Sequence, residues 1–382
     1  MPAPRVLVLH NRYRIEGGEE RSVELQLRVL ERAGVAHRRL ERRSSDAGRA
    51  RAAGALLRGG SREQEVAAAV RELPANLLHA HNMLPLYGPR ALDAARRAGA
   101  RVVLQLHNFR LFCAIAVASR DGGPCFRCRG RRTLPGLMLN CRGSWPEAAA
   151  YAAGLALHQP RVFAAVDRFV APSRAAARKL AELGVPAARL DVLPHYLPDA
   201  EFALRSSAGE GAYALVASRL APEKGIDTAV EAAAASGVAL KVAGEGPEAG
   251  RLRQLAEQLG APVEFLGRLG RAELGELRAG AGAVLLPSRY HELAPYTALE
   301  SMAAGVPTLG TRIGGLPELL GEERCLPVND ATALATRLGE LWADSELRRE
   351  EGEALLARAR ERHSEQRYTR DLLALYGELV GR

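Results

Sequence analysis

The 382-residue sequence predicts an α/β protein of two doubly wound domains. Three observations carry that reading. Short apolar runs alternate with helical patterns through both halves of the chain. A stretch rich in Pro, Ser and Gly, "PHYLPDAEFALRSSAGEG" at 194–211, separates two such series. The composition, 47% hydrophobic and 25% charged with 5% aromatic, suits a soluble chain with a sizeable core.

In the N-terminal half, "RVLVLH" (5–10), "NLLHAH" (76–81), "RVVLQLH" (101–107) and "RFVAPS" (168–173) read as buried strands. Residues 23–33, 62–73 and 90–99 between them read as helices, so the sheet is parallel and covered on both faces. The charge-free run Ala148–Pro160 reads as a buried helix. Residues 110–146, rich in Gly, Arg, Cys and Pro, break the alternation and read as a long inserted loop. After the linker, "YALVAS" (213–218), "VALKVAG" (238–244), "VEFLG" (263–267), "AVLLPS" (283–288), "VPTLG" (306–310) and "RCLPV" (324–328) form the second strand series. From about Asp330 the chain reads as charged and helical.

Charge divides the chain. Residues 1–198 hold 32 Lys and Arg against 16 Asp and Glu, and the remainder holds 21 against 28. The basic half suits an anionic membrane surface, a phosphorylated acceptor or nucleic acid, set against a merely solvated arginine surface. No secretory signal opens the chain and no segment has the length of an apolar membrane span. A cytoplasmic protein, peripheral at the inner face of the plasma membrane, is the expectation. Nucleic acid is not an expected partner, because aromatic stacking platforms and a nucleic-acid module are missing.

The informative motifs lie where a strand gives way to a helix, the place where backbone N–H groups and the helix dipole favour anions. Gly17 and Gly18 follow the first strand and permit close approach of a ligand, or make a plain turn. In "ASRLAPEKGID" (217–227), Arg219 and Lys224 are two nearby cations that a shared diphosphate would reconcile. "GEGPEAGRL" (244–252) is accounted for by turn chemistry. In "HELAPYTALE" (291–300), Glu292 and Glu300 bracket a helix start at Pro295. Ser288 just before caps nothing obvious. His79, His81 and His107 stand at strand ends, where a histidine is usually a satisfied polar residue.

Four of the five cysteines cluster in the inserted loop: Cys113, Cys125, Cys128 and Cys141. One C-x2-C with two outlying cysteines suits a structural zinc held by four thiolates, against free or oxidised thiols. Seven arginines (Arg110, Arg120, Arg127, Arg129, Arg131, Arg132, Arg142) share that loop. The fifth cysteine, Cys325, reads as a small core residue.

Taken together and in order, "SRLAPEKGID", "GEGP", "VEFLG" and "LLPSRYHELAPYTALESMAAGVPTLGTRIGGLPEL" resemble the C-terminal domain of retaining glycosyltransferase family 4. The resemblance is detailed over most of 212–330 and weaker in the N-terminal half, through "GG", "LLHAHN", "LQLHNFR" and "RFVAPS". It implies the GT-B architecture, two Rossmann-like domains facing across a cleft. The N-terminal, acceptor-binding domain would take 1–195, with the Cys/Arg-rich insertion at 110–146. The nucleotide-sugar domain would take 196–361, and a helix at 362–382 would pack back on the N-terminal domain.

The resemblance also assigns roles. Arg219 and Lys224 would hold the donor diphosphate, Glu300 the ribose and Glu292 the transferred sugar. The backbone of Leu293, Ala294, Pro295 and Tyr296 would cap the β-phosphate. Gly17 and Gly18 would close over the diphosphate, His107 would face the donor sugar, and Arg268 would lie near the base. Many family members carry Gly-Phe-Gly where this chain has Leu293-Ala294-Pro295, and Pro295 has no N–H to offer. The implied activity is retaining transfer from a nucleoside diphosphate sugar, UDP-sugar before GDP-sugar, with no metal needed for transfer. The acceptor would be a glycan, a lipid-linked sugar or a small molecule in glycolipid, polysaccharide or cell-envelope glycan synthesis. Another GT-B sugar-nucleotide enzyme, an epimerase or phosphorylase, is the alternative.

Overall fold

A computed structural model describes residues 3–12 and 17–381. The chain divides into two compact units, the first of residues 1–118, 126–194 and 366–382, the second of 119–125 and 195–365. Each unit is built on a six-stranded, wholly parallel sheet.

In unit 1, β1 (Arg5–Arg12), α1 (Gly18–Arg32) and β2 (Ala36–Arg43) open the chain. Then come α2 (Arg49–Arg58), α3 (Glu63–Glu72), β3 (Leu77–Ala80), α4 (Gly88–Arg97) and β4 (Arg101–Gln105). The insertion carries a two-residue-strand hairpin, β5 (Ser119–Arg120) and β6 (Gly123–Pro124), which falls to unit 2, and then α5 (Leu134–Met138) of unit 1. The long α6 (Trp145–Ala165), β7 (Arg168–Ala171), α7 (Arg174–Leu183) and β8 (Leu190–Val192) complete the series. The sheet order is β2-β1-β3-β4-β7-β8, so the winding reverses between β1 and β3. Val6, Leu7, Val8 and Leu9 of β1 are fully buried, as a strand covered on both faces requires.

Two strands of this sheet are edges that the apolar-run criterion does not detect. β2 reads "AHRRLERR" with only Leu40 buried, and β8 is short, with its three residues partly or fully exposed. Both satisfy their ladder on one side only, and charged side chains on β2 discourage further pairing.

Unit 2 runs β9 (Tyr213–Ala217), α8 (Ile226–Ser236), β10 (Leu240–Ala243), α9 (Ala249–Leu259), β11 (Val263–Gly267) and α10 (Arg271–Ala279). It continues through β12 (Ala281–Leu286), α11 (Tyr296–Ala303), β13 (Thr308–Thr311), α12 (Leu316–Leu320), β14 (Cys325–Leu326), α13 (Ala331–Ala343) and α14 (Ser345–Arg362). The sheet order β11-β10-β9-β12-β13-β14 reverses between β9 and β12, and ligands of such sheets bind beyond the strand C-termini at that reversal. A single apolar cluster joins Val216, Leu240, Val242 and Leu285 of the sheet to Val230 of α8 and Leu338 of α13.

The last helix, α15 (Glu365–Val380), returns to unit 1. Its Tyr376 hydroxyl meets His79 Nδ1 at 2.7 Å and accepts from Gln26 Nε2 at 2.8 Å, and Glu378 lies 3.4 Å from Arg168. Among the described residues no helix is long and apolar enough to cross a membrane.

Candidate functional site

In unit 2, the loops leaving β9 and β12 meet where the sheet order reverses. The β9 loop enters a 3-10 turn at Pro222–Lys224 and passes through Gly225 into α8. Gly225 has φ of +63°, and a Cβ there would stand 2.1 Å from the Pro287 carbonyl oxygen. Only glycine lets the β9 loop lie this close to the end of β12.

That approach brings Lys224 to Glu292. The Lys224 ammonium donates to Glu292 Oε1 at 2.7 Å and to the Tyr290 hydroxyl at 3.2 Å. Tyr290 donates to Glu292 Oε2 at 2.6 Å, and the Ser288 hydroxyl donates to Oε1 at 2.9 Å. The Glu292 carboxylate, almost fully buried, thus accepts from three side chains. Burial opposes the charge on Lys224, but the Glu292 carboxylate and Tyr290 more than offset it, and its pKa rises above the ordinary lysine value. Burial, reinforced by the Glu292 charge, raises the Tyr290 phenol as well, so this hydroxyl stays a donor.

The backbone around Glu292 is equally fixed. Its carbonyl accepts from Gly315 N–H at 2.7 Å, and Gly314, at φ +64°, passes so close that a Cβ would lie 2.3 Å from that carbonyl oxygen. The Thr311 hydroxyl donates to the Ser288 carbonyl at 2.6 Å. Arg289 ties the same loop to the start of α8: its guanidinium lies 2.7 Å from the Asp227 carboxylate and donates to Thr228 Oγ1 at 3.2 Å. Ser288, which has no evident capping role in the sequence, is therefore a carboxylate donor.

Arg219 and Lys224 both sit in the β9 loop, each with a carboxylate: Arg219 pairs with Glu223 and Lys224 with Glu292. The "GEGP" turn does more than turn. A Cβ on Gly244 would lie 1.9 Å from the Ser218 carbonyl oxygen, and one on Gly246 2.1 Å from that of Leu220. Leu220 N–H donates to the Glu245 carbonyl at 2.9 Å, so this turn seats the Arg219 loop.

Helix α11 starts at Tyr296, with Pro295 as its N-cap residue in extended conformation rather than its first helical residue. Pro295 still serves the helix, since its carbonyl accepts from Ala298 N–H at 3.1 Å. Leu293 and Tyr296 are buried, and Ala294 and Pro295 half-buried. The Tyr296 ring stacks on His195 at 4.5 Å between centroids, and burial, then the charge of His363, pulls the His195 pKa down to about 3. Glu300 lies one turn further into α11 and pairs with Arg278 of α10 at 2.7 Å. Arg278 is itself buried, and the sequence motifs do not point to it. Arg268 follows β11 directly and is exposed.

In unit 1, the ends of β1 and β3 carry a buried polar cluster. Gly17 is the N-cap of α1, its N–H donating to the Glu20 carboxylate at 2.7 Å, and Gly18 is the first helical residue. His10 stands 3.6 Å from Glu19 and 3.7 Å from Glu20. His107 Nε2 lies 2.8 Å from His81 Nδ1, and the two rings stack at 5.1 Å. Asn108 donates to Glu19 at 3.2 Å. Glu19, His81, Asn82, His107, Asn108 and Arg110 line one pocket of this unit. His79 is satisfied in the interior by Gln26, Gln105 and Tyr376, and burial lowers its pKa to about 3.

The cysteines are where expectation and structure part. None of the four is in a disulfide and all are half-buried, and among the described residues no group of three or more His, Cys, Asp or Glu side chains is placed to hold a metal ion. Cys113, Cys128 and Cys141 belong to unit 1, whereas Cys125 goes with the hairpin segment of unit 2. Cys128 Sγ faces the Thr133 carbonyl at 3.8 Å, and burial raises the Cys113 thiol pKa. The structure does not assemble the four-thiolate zinc site.

Residues 200–356 match the family described as glycosyl transferases group 1, and residues 5–195 match the glycosyl transferase 4-like domain. The chain is 36% identical over 201 residues to the exopolysaccharide phosphotransferase SCO2592 of Streptomyces coelicolor, covering 50% of this chain and 21% of that protein. It is 32% identical over 199 residues to the GDP-mannose-dependent alpha-(1-6)-phosphatidylinositol monomannoside mannosyltransferase of Mycobacterium tuberculosis, covering 46% of this chain and 51% of that one. The match thus spans about a fifth and about half of these relatives. The structure of Anabaena Alr3699/HepE in complex with UDP-glucose has the same fold, with TM-score 0.69, 17% identity, and 98% of this chain and 99% of that one covered.

Proposed function

The chain belongs to the glycosyl transferases group 1 family, with the GT-B fold, and from that premise we propose that it moves a glycosyl unit from a nucleoside diphosphate sugar to an acceptor hydroxyl, with retention. The observation that carries the reading is the Lys224–Glu292 pair, held by Tyr290 and Ser288 at the reversal point of the unit 2 sheet.

In the transfer, the bond from the anomeric carbon to the diphosphate oxygen breaks and the leaving oxygen takes the electron pair. A bond forms from the acceptor oxygen to the same carbon, and the acceptor proton passes to the leaving phosphate. Lys224 and Arg219 stabilise the charge that develops on the diphosphate, and the start of α11 adds its dipole. Glu292, fixed by three donors, accepts from hydroxyls of the transferred sugar, and Glu300 from those of the ribose. Leu293, Ala294 and Tyr296 offer backbone N–H groups to the β-phosphate, and Arg268 stands toward the base. His107, Gly17 and Gly18 keep their expected roles on the family resemblance.

The donor is read as a UDP-sugar, a reading supported by the HepE complex; the mannosyltransferase relative names GDP-mannose instead. The acceptor is read as a lipid-linked or polysaccharide hydroxyl, in keeping with the relatives' names. A panel of labelled UDP- and GDP-sugars, scored first for thermal stabilisation and then for products with added acceptors, tests the proposal. A retained glycoside is the expected product. An epimerised sugar or a sugar 1-phosphate would replace transfer with the alternative chemistries.

A further inference from the structure

Unit 1 carries an apolar surface that stands exposed among the described residues. On α6, Ala148, Ala152, Leu155, Gln159 and Val162 are buried. Trp145, Ala149, Ala153, Leu157 and Pro160 follow one another at spacings of four and three, and all are exposed. That spacing puts them on one face, where an ordinary surface helix carries charge. Here those five positions carry none, and the nearest charge, Arg161 one turn beyond Leu157, is paired with Asp93. Trp145 is 58% exposed and Leu157 57%.

Two of the helices packed beside α6, α2 and α5, extend the surface. Leu57 of α2, and Leu134 and Met138 of α5, are 43%, 58% and 68% exposed. Among the described residues, these five side chains are most of the eight large apolar ones that stand exposed. An apolar concentration of this kind marks an interaction surface rather than scattered exposure.

The charge around it is mainly positive, and the acidic Asp93 of neighbouring α4 is paired with Arg161 at 3.1 Å. Residues 49–58 and 127–165 contain nine arginines and a single acidic residue, Glu147. Glu147 is already engaged, 3.0 Å from Arg142 and 3.6 Å from Arg49. One arginine is built into the helix edge. Pro160 has no N–H to give the Ala156 carbonyl, and Arg131 Nε donates to that carbonyl at 3.1 Å. The Thr133 hydroxyl adds a bond to the Ala152 carbonyl at 2.6 Å, so the stretch leading into α5 is pinned to α6.

We propose that this face of α6, with α5 and the end of α2, docks on an anionic lipid bilayer. The apolar face enters the boundary between headgroups and acyl chains, Trp145 sits at headgroup level, and the flanking arginines meet lipid phosphates. A second copy fits poorly, because a two-fold contact would set this arginine collar against itself. An acidic protein partner would leave the large apolar side chains without the acyl environment that their number suits. The docking residues belong to unit 1 and none of them is a proposed donor residue, so the proposal stands or falls independently of the transfer reaction.

Flotation of the full chain with phosphatidylcholine vesicles, alone or with about a third phosphatidylglycerol, tests this at low and at raised salt. Binding is expected with the anionic vesicles only, weakening as salt rises. The emission difference between wild type and Trp145→Phe should shift to the blue on binding. Leu157→Glu with Met138→Glu, both at exposed positions, should reduce partitioning by about tenfold or more while thermal midpoint and donor binding stay unchanged. Equal binding to neutral vesicles, absence of binding to either, or wild-type partitioning of the double variant would each overturn the proposal. So would a dimer in solution that the same double variant dissociates, since the face would then be a contact between copies.

Discussion

The Lys224 ammonium and the Glu292 carboxylate meet at 2.7 Å although 68 residues separate them in the chain. The meeting is made by glycine. Gly225 lets the β9 loop approach Pro287, and Gly314 lets the segment after β13 pass under Glu292. The pair is nearly buried, so removing one partner strands the other.

Lys224→Ala and Glu292→Gln should each lower turnover on the order of a hundredfold or more, the scale set by losing one electrostatic stabiliser of a transition state. Thermal midpoints taken alongside separate this from unfolding. Wild-type rates in both would remove the pair from the site.

The charge of Lys224 also makes a pH prediction. Its folded pKa lies above the unfolded value, so its contribution to stability is complete below the unfolded pKa and is lost only as pH climbs through the folded one. The stability difference between wild type and Lys224→Met should therefore be flat from about pH 6 to about pH 9. A difference that decays across that window, followed by urea unfolding, would show that the lysine is not held as described.

His79 and His195 act at the acid end. Both are buried neutral with pKa lowered to about 3 by burial, whereas the unfolded chain protonates them near the ordinary value. The unfolded state then binds more protons between those limits, and stability falls as pH drops below about 6.5. Each histidine should cost roughly 2 kcal/mol between neutral pH and about pH 5. Urea midpoints of His79→Gln, whose side chain does not titrate, should show a correspondingly shallower acid slope than wild type.

Much of this was legible in the sequence, for a physical reason. Buried parallel strands are continuous apolar runs, and a run such as "RVLVLH" announces itself. The edge strand β2 does not, because one ladder partner and one buried Leu40 suffice to hold an arginine-rich segment. Glu292, Glu300, Arg219 and Lys224 stand in motifs that can be read locally. Tyr290, Ser288 and Arg278 gain their meaning only from tertiary contacts. The "GEGP" glycines resemble a plain turn until the Ser218 and Leu220 carbonyls are seen against them. The four cysteines have a spacing that suits a metal, but among the described residues no group of three or more His, Cys, Asp or Glu is placed to hold one.

Gly225→Ala tests the close approach itself. The substitution meets both a left-handed φ of +63° and the Pro287 carbonyl oxygen 2.1 Å from the new Cβ. A cost of roughly 2 kcal/mol or more is expected, together with loss of activity as the β9 loop moves away from Glu292. Gly237→Ala is the control. Gly237 has a similar φ of +69° but nothing within 4 Å of a Cβ, so it carries the conformational cost without the collision. Equal stability and activity in the two variants would mean that the loop yields without consequence.

Arg278 is the residue whose role is least visible in sequence. It is buried at the end of α10, and its guanidinium donates to Glu300 Oε2 at 2.7 Å. A carboxylate on α11 offers two oxygens, and fixing one of them fixes where the other points. If Glu300 binds the donor ribose, Arg278 is the residue that orients it, without touching the reacting atoms. Arg278→Met keeps much of the side-chain volume while removing the guanidinium. Its donor KM should rise by about tenfold with kcat little changed, the pattern of lost uniform binding. Glu300→Gln should raise donor KM at least as far, lowering turnover strongly at limiting donor, and combining it with Arg278→Met should add little to the KM effect, because both act through one contact. An additive double variant, measured by donor titration, would separate Arg278 from the ribose and leave it a purely structural partner of α11.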